Sequence, residues 1–390
     1  MSESVPESSP ANVLPLDGLI VLEMGSSVAG PFAGRIFGDL GATVWKVEAP
    51  RVGDAARGWG EGRIGGTGVT FQAFNREKRS IVVDFAVPDE LALLRRLIAE
   101  KVDVVVQNLR PGVVEKFGLD AATLMADNPG LIYCNVGAFG PFGPLKGAPG
   151  YDPLIQAFTG ISDATGEPDG EAVRVGVPLI DIGTGMWAAI GILTALHRRH
   201  ATGRGCLVDT AMFETALVWQ SLSFATYEGG GGWPRRMGLQ GPLLVPNGGY
   251  DAADGKLLLT IGTPSQFERL CQVLERGDLL EDERFATNNA RVANREAFDA
   301  AINETLRQRT RAEWSALLDA VDVPSAPNQS LGEVILHPQT AASGMLQKSP
   351  DGSFRLVATP LCFDGERPAF RRPAPDLGEA TQEVFAFLAN

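Results

Sequence analysis

Five short runs rich in Val, Ile and Leu recur through the first third of the chain, at 19–22, 43–47, 81–85, 102–106 and 131–136. Their apolar residues are consecutive rather than alternating. Strands of that kind need cover on both faces. The stretches between them suit turns and helices, so the pattern predicts a parallel sheet wound from βαβ units, an α/β fold. Pro88 opens a helix over 89–101, at the position where the missing N–H costs nothing. A further strand is expected at 207–211, and a helix at 214–227.

Composition narrows the function. The 390 residues carry 34 Lys+Arg against 47 Asp+Glu, a net charge of −13. Such a field repels phosphate backbones and anionic lipid, so neither nucleic acid nor a membrane surface is an expected partner. With 44% hydrophobic and 21% charged residues, the chain is globular. The four cysteines (Cys134, Cys206, Cys271, Cys362) form no CxxC pair, which argues against a zinc or disulfide framework. His197 and His200 have helical spacing but no third ligand in sequence, so no metal is expected. The N-terminal dozen residues lack a leader's basic and apolar parts, and no apolar run approaches the roughly 18 residues of a membrane helix, so a cytoplasmic location is expected.

The texture changes at Gly229–Gly232, which read as a linker or a flexible loop. Residues 223–329 are expected to form a smaller α+β domain. Residues 13–222 and 330–390 would form the large domain, after a loose tail over 1–12.

Several residues could carry chemistry. The turn Gly25–Gly30 follows a strand and precedes a helix, but lacks the G-x-G-x-x-G spacing of a dinucleotide site. Its backbone N–H groups could face an anionic or carbonyl ligand, or the turn could be purely structural. Residues 173–182 read as a strand running into Gly183-Thr-Gly185, with an apolar helix over 186–199. Asp181 at that junction reads as a helix N-cap, or as a nucleophile able to attack an activated acyl group. Asp152 reads as a turn residue before Pro153, Cys206 as a buried strand cysteine, and Trp59 as a loop anchor or a lid residue between glycines.

Taken in order, six segments resemble the family III CoA-transferases. They are Gly30-Pro31 through to Gly41-Ala-Thr-Val-Trp-Lys-Val-Glu48; Asn75-Arg-Glu-Lys-Arg-Ser80; Asn108-Leu-Arg-Pro-Gly112; Gly150-Tyr-Asp152; Asp181-Ile-Gly-Thr-Gly185; and Thr202-Gly-Arg-Gly205 followed by Val208-Asp-Thr-Ala-Met212. This is the family of formyl-CoA and carnitine CoA-transferases, with α-methylacyl-CoA racemase as a cousin.

The resemblance implies a Rossmann-like large domain built from both chain ends, a small inserted domain, and an interlocked homodimer. It implies CoA transfer from an acyl-CoA to a small carboxylic acid, without metal or permanently bound cofactor. Asp181 matches the catalytic aspartate, and Tyr151, Asp152, Trp59, Val28 and Ala29 match its neighbours. Ser27, Asn108, Leu109, Lys116 and Phe117 match positions lining the CoA groove, and Arg51 substitutes for an arginine that some members carry at Ala49. The racemase branch has a histidine where Tyr151 stands, so the implied chemistry is transfer rather than α-proton exchange. A nicotinamide oxidoreductase and a non-catalytic CoA-binding module are the readings from other classes.

Overall fold

The computed structural model describes residues 14–388, and the tail expected over 1–12 lies outside them. The chain divides into two compact units. The first comprises the residues up to Ile161, Arg174–Gly232, and those from Gln339 onward; the second comprises Ser162–Val173 and Trp233–Pro338. The second unit therefore starts at 233 and ends at 338, rather than 223 and 329, and takes in a short earlier stretch.

The first unit is built on a six-stranded sheet, and every pairing in it is parallel. Its strands are β1 (Ile20–Met24), β2 (Thr43–Glu48), β3 (Lys78–Val82), β4 (Val104–Gln107), β5 (Ile132–Gly137) and β6 (Leu207–Ala211). Their spatial order is β3-β2-β1-β4-β5-β6, the doubly wound Rossmann order. Neighbouring residues alternate between two cores. Val21, Val44, Val104 and Ile132 face one side, where they meet Ala33 and Phe37 of α1 (Ala29–Asp39) and Ala188, Ala189 and Ile192 of a long helix. Leu22, Trp45, Val105 and Tyr133 face the other, against Leu94, Leu97 and Ile98 of α2 (Pro88–Lys101) and Leu124 of α3 (Ala121–Asp127). Burial on both faces is why the strands read as unbroken apolar runs.

Four sequence expectations change. The third strand is Lys78–Val82, earlier than 81–85, because its polar residues Lys78 and Ser80 are buried in pairings rather than exposed. The region 173–182 is not a strand. Its last residues belong to α5 (Leu179–Thr202), which follows α4 (Asp152–Phe158). With those residues added, α5 has the length and apolar composition of a membrane span, contrary to the expectation that no such run exists. Its inner face packs on the sheet and on α1. The helix expected over 214–227 is broken at Gln220 into α6 (Met212–Trp219) and α7 (Ser221–Glu228).

The second unit has an antiparallel sheet of β7 (Asn247–Ala252), β8 (Gly255–Thr260) and β9 (Ser325–Pro327), β8 lying centrally. Its core gathers Leu257, Leu259, Phe267, Phe298, Ile302 and Trp314.

Candidate active site

In a doubly wound sheet, ligands sit beyond the carboxyl ends of the strands where the order reverses. Here that point lies between β1 and β4. Met24 and Gln107 are paired at the strand ends, so the chains leave the sheet side by side. Asn108 then reaches across: its Oδ1 accepts from Ser26 N at 2.8 Å and its Nδ2 donates to Ser26 O at 2.9 Å. Side chains at 25 and 30 would collide with it, since a Cβ at Gly25 would lie 3.0 Å from Asn108 Oδ1 and one at Gly30 would lie 3.1 Å from its Cγ. The glycines of this turn thus serve Asn108, and the Asn108 amide is committed to shaping the turn.

Ser27 follows with a left-handed backbone, φ 71°. Its N–H donates to Asp54 Oδ1 at 3.1 Å. Ser27 is therefore not a free donor to a ligand, as a turn of exposed N–H groups would require. The groups left without an acceptor among the described residues are the N–H groups of Val28, Ala29 and Gly30, at the start of α1. Orphan donors of this kind belong to every helix start, but here Val28 and Ala29 are buried.

A cavity of about 270 Å³ opens at the same strand ends, lined by Met24, Val47, Pro50, Phe85, Leu109 and Phe117 among others. Of the residues matched to the CoA groove, Leu109 and Phe117 line it directly. Lys116 stands exposed with its ammonium 5.0 Å from the centre of the Phe117 ring. Arg51 is an exposed turn residue one place past Pro50. A larger cavity of about 500 Å³ lies wholly in the second unit around Phe267 and Arg291 and holds none of the expected site residues.

The second cluster forms where α4 and α5 begin. Asp152 is the first residue of α4 and is buried. Its Oδ2 accepts from Ile180 N at 2.7 Å and Asp181 N at 3.2 Å. Asp152 thus caps α5 from outside the helix, satisfying two of its orphan donors. Asp181 is no N-cap. Pro178 holds that position, and Asp181 stands two residues inside the first turn. The amide of Gln156 donates to Asp152 Oδ1 at 2.5 Å and accepts from Val175 N at 2.8 Å, tying down the segment that enters α5. Burial, and then the charge on Asp152, push the Asp181 carboxyl up to about 7. Tyr151, beside this pair, is 53% exposed.

The glycines after Asp181 bring the clusters together. A Cβ at Gly183 would meet the Trp219 ring at 2.6 Å, and one at Gly185 would meet Ala29 O at 2.7 Å. Gly185 lies one turn beyond Asp181, about 6 Å along the axis. Without side chains there, α5 can press against the first turn of α1, where the free N–H groups are. Trp59 is linked to the same turn through Asp54, which bonds Ser27 and caps the short helix Ala55–Gly58 ahead of it. Trp59 is 38% exposed, while Gly68 packs against its backbone.

The dinucleotide reading finds no support here. Glu48, at the end of β2, stands where dinucleotide enzymes hold the ribose acid. Both of its oxygens are already taken, by Arg57, Ser80 Oγ and Asp54 N.

Sequence reasoning assigned no role to Glu23, Lys46, Asp54 or Lys78, all buried beneath the turn. A signal was present: Glu23 and Lys46 each stand between two apolar neighbours in a strand, where a charge needs a buried partner.

The first unit thus has a cavity at the switch point of a Rossmann sheet and a protonatable carboxyl at the start of α5, the position and the kind of perturbed group expected of a ligand-binding enzyme site. Comparison with known proteins makes the class specific. Residues 16–381 match the model of CoA-transferase family III. The chain is 36% identical to the succinate–glutarate CoA-transferase of Agrobacterium fabrum, covering 96% of each chain. It is 35% identical to the acetyl-CoA:oxalate CoA-transferase of Acetobacter aceti, covering 97% of this chain and 98% of the relative. A crystal structure of a CAIB/BAIF family protein from Brucella suis superposes with a TM-score of 0.86 at 39% identity, over 97% of this chain and 100% of that one. The chain belongs to the family III CoA-transferases and is an acyl-CoA:carboxylate CoA-transferase.

Proposed function

We propose that Asp181 carries the acyl group during transfer. An Asp181 oxygen bonds the thioester carbon of the acyl-CoA donor, and the carbonyl electron pair moves onto oxygen. Collapse of that oxyanion expels CoA as its thiolate and leaves an acyl-aspartyl anhydride. The thiolate attacks the aspartyl carbonyl, releases the donor acid and leaves an aspartyl-CoA thioester. The acceptor carboxylate attacks this thioester to give a mixed anhydride and thiolate, and the thiolate takes the acceptor's acyl carbon, freeing Asp181. Each step exchanges one activated acyl bond for another.

The observation that carries this reading is the position of Asp181. It stands in the first turn of α5, where the helix dipole favours the carboxylate that burial disfavours. It is one turn from the contact with Ala29, and the N–H groups of Val28, Ala29 and Gly30 are the donors for the oxyanion. The cavity beside Leu109 and Phe117 suits the nucleotide end of CoA, with Lys116 and Arg51 offering cations to its phosphates. The acceptor is a small dicarboxylate, in line with the succinate, glutarate and oxalate in the relatives' names.

The protein works as a homodimer. On α5, Met186, Trp187, Ile190 and Leu193 stay between 37% and 49% exposed, an apolar stripe suited to a second copy. Sedimentation at micromolar concentration should show a dimer.

The test of function is incubation with succinyl-, glutaryl-, acetyl- and oxalyl-CoA against the matching free acids, with new thioesters read by mass spectrometry. Wild type should form them, and Asp181→Ala should form none while keeping its melting transition. Near-normal exchange by that variant rejects the assignment.

A further inference from the structure

The layer under the Gly25–Pro31 turn is charged, and none of its central groups reaches solvent. Glu23, Lys46 and Lys78 are each 0% exposed. Burying ions is costly unless every hydrogen-bonding group is matched. Here both lysines are paired with carboxylates and hydrogen-bonded to the chain, while Glu23 Oε2 and Asp54 Oδ2 are held by charge without a hydrogen bond. Lys46 Nζ lies 2.8 Å from Glu23 Oε1, 3.0 Å from Asp54 Oδ2 and 2.8 Å from Gly25 O. Lys78 Nζ lies 2.6 Å from Glu23 Oε2, 2.8 Å from Pro31 O and 2.8 Å from Asn75 Oδ1. Each ammonium thus makes two hydrogen bonds, Lys46 to Glu23 Oε1 and Gly25 O and Lys78 to Pro31 O and Asn75 Oδ1, and one further ion pair, with Asp54 Oδ2 and Glu23 Oε2 respectively.

Two of those six contacts end on backbone carbonyls, and these are the two ends of the turn. Gly25 is the first residue past β1, and Pro31 lies in the first turn of α1. Between them, Asn108 holds Ser26 and Asp54 holds Ser27. The helix also rests directly on the shared carboxylate, since a Cβ at Gly34 would lie 2.0 Å from Glu23 Oε2. What the brace leaves unbound is the row of N–H groups at Val28, Ala29 and Gly30.

We infer that Glu23, Lys46 and Lys78 form a positioning device for the transfer reaction, holding the turn so that these three N–H groups meet the thioester oxygen when Asp181 attacks. This rests on the aspartyl mechanism proposed above. None of the three touches substrate. They act through the turn, so their loss should appear in kcat and not in acyl-CoA binding.

The brace also has a proton requirement. Burial draws the Lys78 ammonium down to about 8, with Glu23 and Asp54 holding it up and Lys46 pressing it further down. Once deprotonated, Lys78 loses the charge that pairs it with Glu23 Oε2, and its hold on Pro31 and Asn75 loosens.

The experiment measures kcat and KM for the best acyl-CoA and acid of the panel from pH 6 to 9.5, in wild type, Lys78→Met and Asn75→Ala. In Lys78→Met, kcat should fall about 100-fold at pH 7.5 while KM for acyl-CoA stays within about twofold. Wild-type kcat should decline above about pH 8, and that decline should be missing from Lys78→Met. Asn75→Ala withdraws one acceptor and keeps the ion pairs; it should lower kcat several-fold at unchanged KM. It decides the matter if Lys78→Met does not fold. A folded variant of either kind that keeps kcat, or that loses activity through KM, overturns the inference. Wild type that exchanges no CoA at all overturns the mechanism it rests on instead.

Discussion

The substitution D181N should stabilise the protein while inactivating it. An unfolded aspartate titrates near 3.8, whereas Asp181 is pushed up to about 7 by burial and then by Asp152. The gap between those values corresponds to about 4 kcal/mol at most, held against the fold once Asp181 is ionised. Relaxation and water entry return part of it, so a gain of about 1–3 kcal/mol is expected from the neutral amide. At roughly 2.1 cal/mol/K per residue of unfolding entropy, that raises Tm by about 1–4 °C for a chain of this length.

The sign with pH is specific. Between about pH 4 and 7 the native state holds the Asp181 proton and the unfolded state does not, so wild-type stability falls as pH rises through that window. The variant has no such group. Its advantage should be near zero at pH 4, grow across the window and level off above pH 7. Thermal or urea melts of both proteins at pH 4.5, 6 and 7.5 measure it. An advantage of the same size at every pH, or a variant less stable at pH 7.5, would refute the electrostatic account of this carboxyl.

Three further outcomes follow from the same geometry. Because transfer needs the Asp181 carboxylate, kcat/KM should rise with pH through about 7, and Asp152→Asn should move that rise to lower pH by removing the neighbouring charge; a pH–rate profile that does not move counts against it. Gly185→Ala forces a methyl to within 2.7 Å of Ala29 O and should cost about 1–3 kcal/mol together with kcat, seen in a melt and a rate assay. Phe117→Ala enlarges the cavity at the switch point and should raise KM for acyl-CoA about tenfold, a loss of about 1.4 kcal/mol, with kcat within twofold.

Much of this was legible in the chain itself. Continuous apolar runs separated by helices specify a parallel sheet buried on both faces, because period and length are local properties. The spacing Asp181-Ile-Gly-Thr-Gly185 marked the residue to watch. Where a helix begins is less local. Residues 173–178 look apolar enough for a strand, yet the start of α5 at Leu179 is set by Asp152, a residue far off in sequence that supplies the cap. Nor could the sequence say that the Asn108 amide and the Ser27 N–H are spent on the turn and that the free donors are the next three. Glu23 and Lys46 stood in the sequence as anomalies, and only their convergence with Lys78 below one loop gives them a purpose. Local pattern determines which segments become strands and helices. Which polar atoms are used up and which remain for a substrate depends on partners brought from distant parts of the chain, and so on the assembled fold.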